Sequence, residues 1–497
     1  MLDDKNGIDV FQDGDVTPEP EIFKDYSNTP TPKNIVSKRF AITAIISTII
    51  ILMIIAGSFV GGFFFAKSKG IESDMPMLED AYELVKKYYY EDISWDEFQK
   101  VATEKFITSI DQFSFMVDAE QPAGKVTIGL SAVTDLYGHH TISQIVQSSP
   151  ADTIEAINYC ENPTYQENAN AFTYVNYSTL TDAKSEHIKM EVGDRIVAIS
   201  YNSNPPIYVE GLSQAYLSAI INQSDTLKMY IAKSNGDGEF TMSGVYQFNI
   251  QKIYVKTKYA SLYTPSEIGD TTGTTAMIKF TQFSGSAIAD FYDCAKEFKD
   301  AGYKNLILDL RGNGGGGEDI LQYVASCLLK GADAKDLGII YYERNTGNGK
   351  WEGEFTETIY SSTVSVDLGD EIKDYSVLNL PKEVEDFNMT ILCDGNTASS
   401  SEALIGALLF YNNVELIGSK TYGKGIGQIV YPFGEYYLYI PNGRYYIPTD
   451  DGTGKAEWTT CIHGVGFTPS EENTIDKVYR PLSTDKAIKR ALTVLNG

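Results

Sequence analysis

Residues 394 to 403 read DGNTASSSEA, three hydroxyls in a row just ahead of the apolar run ALIGALLFY. The local pattern is buried strand (MTILCD), short turn, serines, then helix. A hydroxyl at such a helix start lies where the dipole and the free backbone N–H groups favour negative charge. That suits a nucleophile, and equally an N-cap, the commoner use of serine there. A nucleophilic serine needs a base. The four histidines, His139, His140, His187 and His463, form no triad-like pattern, and GxSxG is absent. Lysine is the remaining common base. GSKTYGKGIGQ offers Lys420 and Lys424, the second between glycines and with Gln428 four residues on. To act near neutral pH, a lysine base has to be desolvated so that its pKa falls.

A second loop, Asp309-Leu-Arg-Gly-Asn-Gly-Gly-Gly-Gly317, follows the buried strand NLILDL and opens a helix. Its glycines allow close backbone approach and aim N–H groups at an anion. No GK[ST] follows, which argues against a nucleotide phosphate. An oxyanion hole for acyl transfer needs the same donors. On residue types alone, both loops read equally well as an ordinary helix cap and a flexible turn.

The elements that hold these loops alternate from Ala276 onward. TAMIKFTQF is a strand, AIADFYDCAKEFKDAG a helix with a glycine stop, and NLILDL a strand. EDILQYVASCLLKG and SSEALIGALLFYN are helices, MTILCD and VELIGSK strands. This predicts an α/β layer with strands covered on both faces, over 256–497. Residues 121–255 have another texture, short β-prone runs such as DRIVAIS and YQFNIQKIYV with one amphipathic stretch, GLSQAYLSAII. Within it, 155–188 read as a surface-loop insertion. Residues 71–120 predict a small helical region, with Met77, Ala81, Leu84, Val85 and Tyr88 at helical spacing.

Phe40 to Ala66 carries no charge. At about 1.5 Å per residue it is long enough to span a bilayer of about 30 Å. Lys24, Lys33, Lys38 and Arg39 precede it, favouring a cytoplasmic N-terminus and a catalytic region outside the cell. The run begins too late and is too long for a cleaved signal peptide, and Gly57 and Gly61 give the GxxxG spacing of a homodimer face. Residues 1–39, acidic and proline-dotted, read as a disordered cytoplasmic tail. The formal charge of −27 over 497 residues argues against a nucleic-acid partner. Five scattered cysteines without a CxxC pair make a zinc site or disulfide framework an unsuitable reading.

The motifs, taken in order, resemble those of the carboxyl-terminal processing peptidases, or tail-specific proteases. SIDQFSFM is similar to the family's LDPYS-type segment, and SSPA (148–151) and MEVGDRIVAI to its PDZ elements. NLILDLRGNGGGG resembles LILDLRGNPGG, NTASSSEALIGAL the SASASE run, and VELIGSKTYGKGIGQ the TFGKG segment. The resemblance implies a crotonase-like α/β peptidase domain and a PDZ-like β-rich domain, beside the small N-terminal helical region and the one transmembrane helix read above. It places the nucleophile on Ser399, the base on Lys424 and the lysine-orienting amide on Gln428. Oxyanion donors would come from the loop of Gly312, Gly314 and Gly315 and from the N–H of Ser400. Gly129 and Leu130 of TIGLSAV match the PDZ carboxylate-binding loop. Protein or peptide substrates follow, with no metal or cofactor. Gln112 and Gly314 stand where the family has proline, Thr397 where it has serine, and Ser470 where it has aspartate. Two other readings are a catalytically degenerate PDZ-bearing scaffold and a crotonase-fold enzyme acting on acyl thioesters. Neither needs the Ser399, Lys424 and Gln428 set.

Overall fold

The computed structural model describes residues 76–88, 94–118 and 124–497, apart from 161–165, 168–172, 175–180, 184–186, 203, 235–244, 348–349, 360–362, 368–371, 435 and 477. The expected tail (1–39) and membrane segment (40–66) lie outside the described residues. No described helix is long and apolar enough to cross a membrane.

The chain enters through two helices, Pro76–Tyr88 and Trp95–Ile110. Ser94 and Glu97 close a capping box at the second: Glu97 N–H donates to Ser94 Oγ at 3.2 Å and Ser94 N–H to Glu97 Oε2 at 3.3 Å. Ala81, Val85, Phe98, Val101 and Ala102 form a small shared core. Leu84, expected on that stripe, faces solvent, so the buried face is narrower than the spacing suggested. Asp111 ends the second helix, and Phe115–Asp118 then pairs as a strand with Tyr436–Tyr439. The end of the expected helical region thus belongs to a sheet whose other strands come more than two hundred residues later.

Residues 124–256 are β-rich. The sheet runs in the order Leu130–Thr134, His140–Ile145, Arg195–Tyr201, Thr226–Ala232, Val245–Gln251, Asn158–Cys160 and Thr181–Asp182, with antiparallel pairs throughout. Helix Gln214–Ile221 sets Leu217 and Ile220 into a core with Ile142, Ile196, Ile199 and Phe248. Within the 155–188 stretch, expected as a surface-loop insertion, the described residues include Asn158–Cys160 and Thr181–Asp182, which pair at the edge of this sheet. Ala156 and Ala183 are buried there, and Tyr159 stacks on Tyr246 with centroids 4.6 Å apart.

The α/β unit follows. Its strands are β1 (Ala260–Tyr263), β2 (Thr275–Phe280), β3 (Asn305–Asp309), β4 (Asn388–Cys393) and β5 (Glu415–Gly418). They lie side by side in that order, β1 antiparallel to β2 and the rest parallel. Side chains alternate across a strand. Ala276, Ile278, Leu306, Leu308, Ile391 and Leu416 face helices α1 (Ala287–Asp300), α2 (Glu318–Leu328) and α3 (Ser400–Asn412). Met277, Ile307, Leu392 and Ile417 face the C-terminal helix α4 (Lys486–Asn496). Both faces are covered, which is why these strands read as largely apolar runs. The parallel register ends β3 and β4 side by side, so the glycine loop after β3 and the serine turn after β4 emerge together, at the edge where open α/β sheets place their sites.

A second, antiparallel sheet packs on the far side of α3. The 15-residue strand Tyr436–Asp450 pairs with Phe115–Asp118, Gly338–Gly347, Ile426–Phe433 and Ala456–Cys461, and Lys350–Glu357 forms the edge beyond Gly338–Gly347. Gly406 sits mid-helix in α3 because a Cβ there would come within 2.8 Å of Ile447 on that strand.

Candidate active site

The three serines have different surroundings once folded. Ser400 Oγ donates to the carbonyl of Gly316 at 2.8 Å, and Ser401 Oγ to that of Asn313 at 3.0 Å. Both hydroxyls therefore pin the glycine loop. The Ser399 side chain instead faces the backbone N–H of Glu402 in a capping box at the start of α3. Ser399 also has φ 57° and ψ −124°, a conformation that costs a non-glycine residue about 1–3 kcal/mol. It is held by local ties: Ala398 N–H donates to Asn313 O at 3.0 Å, and Ser399 N–H to Glu402 Oε2 at 3.1 Å.

The two lysines separate as sharply. Lys420 is exposed. Lys424 is partly buried, and burial pushes its pKa below the ordinary lysine value. Its Nζ donates to Gln428 Oε1 at 2.6 Å and lies 5.5 Å from the centre of the Phe113 ring. Gln428 Nε2 in turn donates to the Phe113 carbonyl at 2.7 Å, which fixes the orientation of the amide so that its oxygen faces the lysine.

Two buried groups join the serine turn to the lysine loop. Glu402 accepts four hydrogen bonds. Ser399 N–H and Lys424 N–H (2.8 Å) meet Oε2, while Gly423 N–H (2.7 Å) and Thr421 Oγ1 (2.6 Å) meet Oε1. Tyr445 Oη lies 2.9 Å from the carbonyl of Ser399 and 2.8 Å from that of Lys424. Burial raises the Tyr445 pKa well above its usual range, so it stays a donor. Neither residue was singled out from sequence. The Ser399-x-x-Glu402 spacing of a capping box was the one readable signal, and Tyr445 carried none.

The glycine loop lies directly against the nucleophile turn. Gly315, at φ 95°, would bring a Cβ within 2.7 Å of Ser399 Cβ and of the Ala398 carbonyl. Gly316 at φ 144° would bring one within 2.0 Å of Phe283 O. These two positions admit only glycine. Gly312 N–H donates to Asp394 Oδ1 and Gly315 N–H to Asn313 Oδ1, both at 2.9 Å. The N–H groups of Gly314 and Ser400 have no acceptor among the described residues. Arg311 ties the loop to the C-terminal helix through ion pairs with Asp309 (2.8 Å) and with Asp485 (2.7 Å), the N-cap of α4. Burial pushes the Asp309 carboxyl up, but Arg311 outweighs it and holds the pKa below the usual range.

Gly129 and Leu130 lie in the β-rich unit and share no hydrogen bond with this centre. Gly129, at φ 81°, donates its N–H to Thr127 Oγ1 at 3.1 Å and accepts from Val146 N–H at 2.8 Å. Leu130 opens an edge strand paired with His140–Ile145 alone. Gln214 Nε2 reaches that strand from the neighbouring helix, donating to Ala132 O at 3.1 Å.

Residues 274–460 match the model of peptidase family S41. The matched span contains the glycine loop, Ser399, Glu402, Lys424, Gln428 and Tyr445. A "Probable CtpA-like serine protease" of Staphylococcus aureus (strain N315) is 28% identical over 222 residues, covering 45% of this chain and 37% of that protein. Its namesake in Staphylococcus saprophyticus is 26% identical over 236 residues, covering 45% of this chain and 41% of that protein. The alignment thus spans about two fifths of the length of these curated relatives. In fold, the chain is similar to an S41 protease structure from Bacteroides fragilis NCTC 9343, with 15% identity and a TM-score of 0.50, covering 87% of this chain and 99% of that one. The family match and the relatives support a serine peptidase.

Proposed function

We propose that the chain is a serine endopeptidase working through a Ser399–Lys424 dyad. The observation that carries this is the desolvated Lys424, aimed by Gln428 and tied through Glu402 to a strained serine turn. Ser399 Oγ attacks the scissile carbonyl and gives its proton to neutral Lys424 Nζ. The oxyanion takes hydrogen bonds from Ser400 N–H and from Gly315 N–H, which exchanges the neutral Asn313 oxygen for a charged acceptor. That exchange is favourable only as charge develops, so it lowers the barrier rather than binding the ground state. The Lys424 ammonium then protonates the leaving amine. Water, deprotonated by the same lysine, releases the acyl-enzyme.

The substrates in this reading are proteins or peptides cut near or from their C-termini, with the β-rich unit as a PDZ-like module around Gly129 and Leu130. Residues 40–66 anchor the enzyme in the membrane, with the catalytic region outside the cytoplasm. A degenerate scaffold would leave the burial of Lys424 without a purpose. The deciding measurement is cleavage of an unstructured protein substrate by the full chain. Ser399→Ala and Lys424→Ala should each abolish turnover while leaving the thermal transition in place. Undiminished turnover by Ser399→Ala would sink the proposal.

A further inference from the structure

A cleft of about 530 Å³ opens at the seam between the β-rich unit, the C-terminal ends of β2 and β3, and the segment 478–485. Five cationic side chains line it, Lys256, Lys258, Lys279, Arg311 and Arg480, against one carboxylate, Asp485. The whole chain has the opposite balance, 40 Lys and Arg to 67 Asp and Glu. Arg311 is already matched by Asp309 and Asp485, and Lys279 also lies in the field of Asp309. Lys256 and Lys258 are different. Both are exposed, and neither makes an ion pair among the described residues; Lys258 Nζ reaches only the amide oxygen of Gln147, at 3.4 Å. The acid that feels them is Asp290, whose carboxylate is turned to the N–H of Tyr259 at 2.8 Å.

A concave site of one sign focuses its field and raises the local concentration of the opposite charge. The volume is that of a ligand site. Gly312 lines the cleft, and Gly315 of the same loop packs against Ser399. A chain lying in the cleft is therefore led toward the reaction centre. The acidic remainder of the molecule would repel a long polyanion, so a short stretch of negative charge fits and a nucleic acid does not.

We propose that this cleft holds an acidic segment of the substrate polypeptide, so that glutamate- and aspartate-rich stretches bind in preference to neutral ones. The proposal rests on the peptidase reading for the word substrate, but its test does not use turnover. Full-length Ser399→Ala protein is titrated into a fluorescein-labelled unstructured peptide carrying a glutamate run, and into the same peptide with glutamines, and anisotropy is read. The glutamate peptide should bind about tenfold tighter at low salt, with the advantage shrinking as salt screens it. Lys256→Glu/Lys258→Glu should erase or invert the preference. If that variant fails to fold, Lys256→Gln/Lys258→Gln carries the same test with a smaller change. Equal binding of the two peptides, or a preference that survives the charge changes in a folded protein, overturns the proposal. Cleavage by wild type but not by Ser399→Ala, assayed separately, reports on the peptidase reading alone.

Discussion

Glu402→Gln tests whether the buried carboxylate sets the catalytic geometry. Glu402 is fully buried, with four donors around its two oxygens. An amide keeps the shape but presents one NH2 among those donors. The nitrogen is better placed at the Oε1 position, because the Thr421 hydroxyl can turn and accept while Gly423 N–H is left facing another donor. One charge-assisted bond, worth about 1.5–3 kcal/mol, is lost and those of Ser399 and Lys424 weaken to neutral strength. Relief from burying a charge offsets part of this, leaving a net loss of about 2–3 kcal/mol. That corresponds to a fall in Tm of roughly 5–10 °C for a unit of this size. The larger effect is kinetic. The positive φ of Ser399 is held by its N–H bond to Glu402, and displacement of a reacting group by about 1 Å costs about a hundredfold in rate. Since Glu402 does not touch substrate, kcat should fall by about that factor with KM little changed. The assay is steady-state cleavage of an unstructured peptide across pH, beside a thermal melt. A variant that melts early yet keeps kcat within about twofold of wild type would show Glu402 to be structural only, and the reasoning would be refuted.

Other outcomes follow from the same geometry. Lys424 has a folded pKa below the ordinary 10.5, so the unfolded chain binds its proton more readily. Activity should rise with pH through the lowered value, and stability should rise between that value and 10.5. Lys424→Met should be inactive at every pH yet more stable at neutral pH, as paired pH–rate and melting series would reveal. Phe113→Ala keeps the carbonyl that orients Gln428 but uncovers the amine, so the ascending limb of the pH–rate profile should move up toward the ordinary lysine value. An unmoved limb would mean that the ring does not desolvate Lys424. Gly315→Ala adds a strained φ and a Cβ 2.7 Å from Ser399 Cβ, about 3 kcal/mol together, and should remove activity. Gly314→Pro deletes an N–H but leaves Gly315 intact. It should preserve kcat and raise Tm slightly, as proline restricts the unfolded chain; a collapse in kcat would instead make Gly314 the loop donor.

The parallel sheet and its two loops were legible because their signals are local. Strands β2, β3 and β4 are largely apolar runs, and each ends in glycines or small polar residues before a periodic helix. The antiparallel sheet was not legible. Lys350–Glu357 is almost wholly exposed, and Tyr436–Asp450 contains two prolines and a glycine, so neither shows the alternation of a half-buried strand. Nor could the residues alone rank the three serines. Ser400 and Ser401 are set apart from Ser399 by helical backbone and by meeting carbonyls 84 and 88 positions upstream, and the distinction came from a resemblance. Lys424 likewise differs from Lys420 by burial, which tertiary contacts decide. The most remote of these contacts is the bond between Gln428 and Phe113, 315 positions apart. It makes the basicity of Lys424 depend on a segment that leaves the N-terminal helices and enters the antiparallel sheet. Through Glu402 and Tyr445, the same lysine loop is fastened to the strained serine turn. Desolvation of the base and strain at the nucleophile are therefore not separate features. Both are sustained by one hydrogen-bonded assembly, and loosening the Phe113 segment should relax the site as a unit.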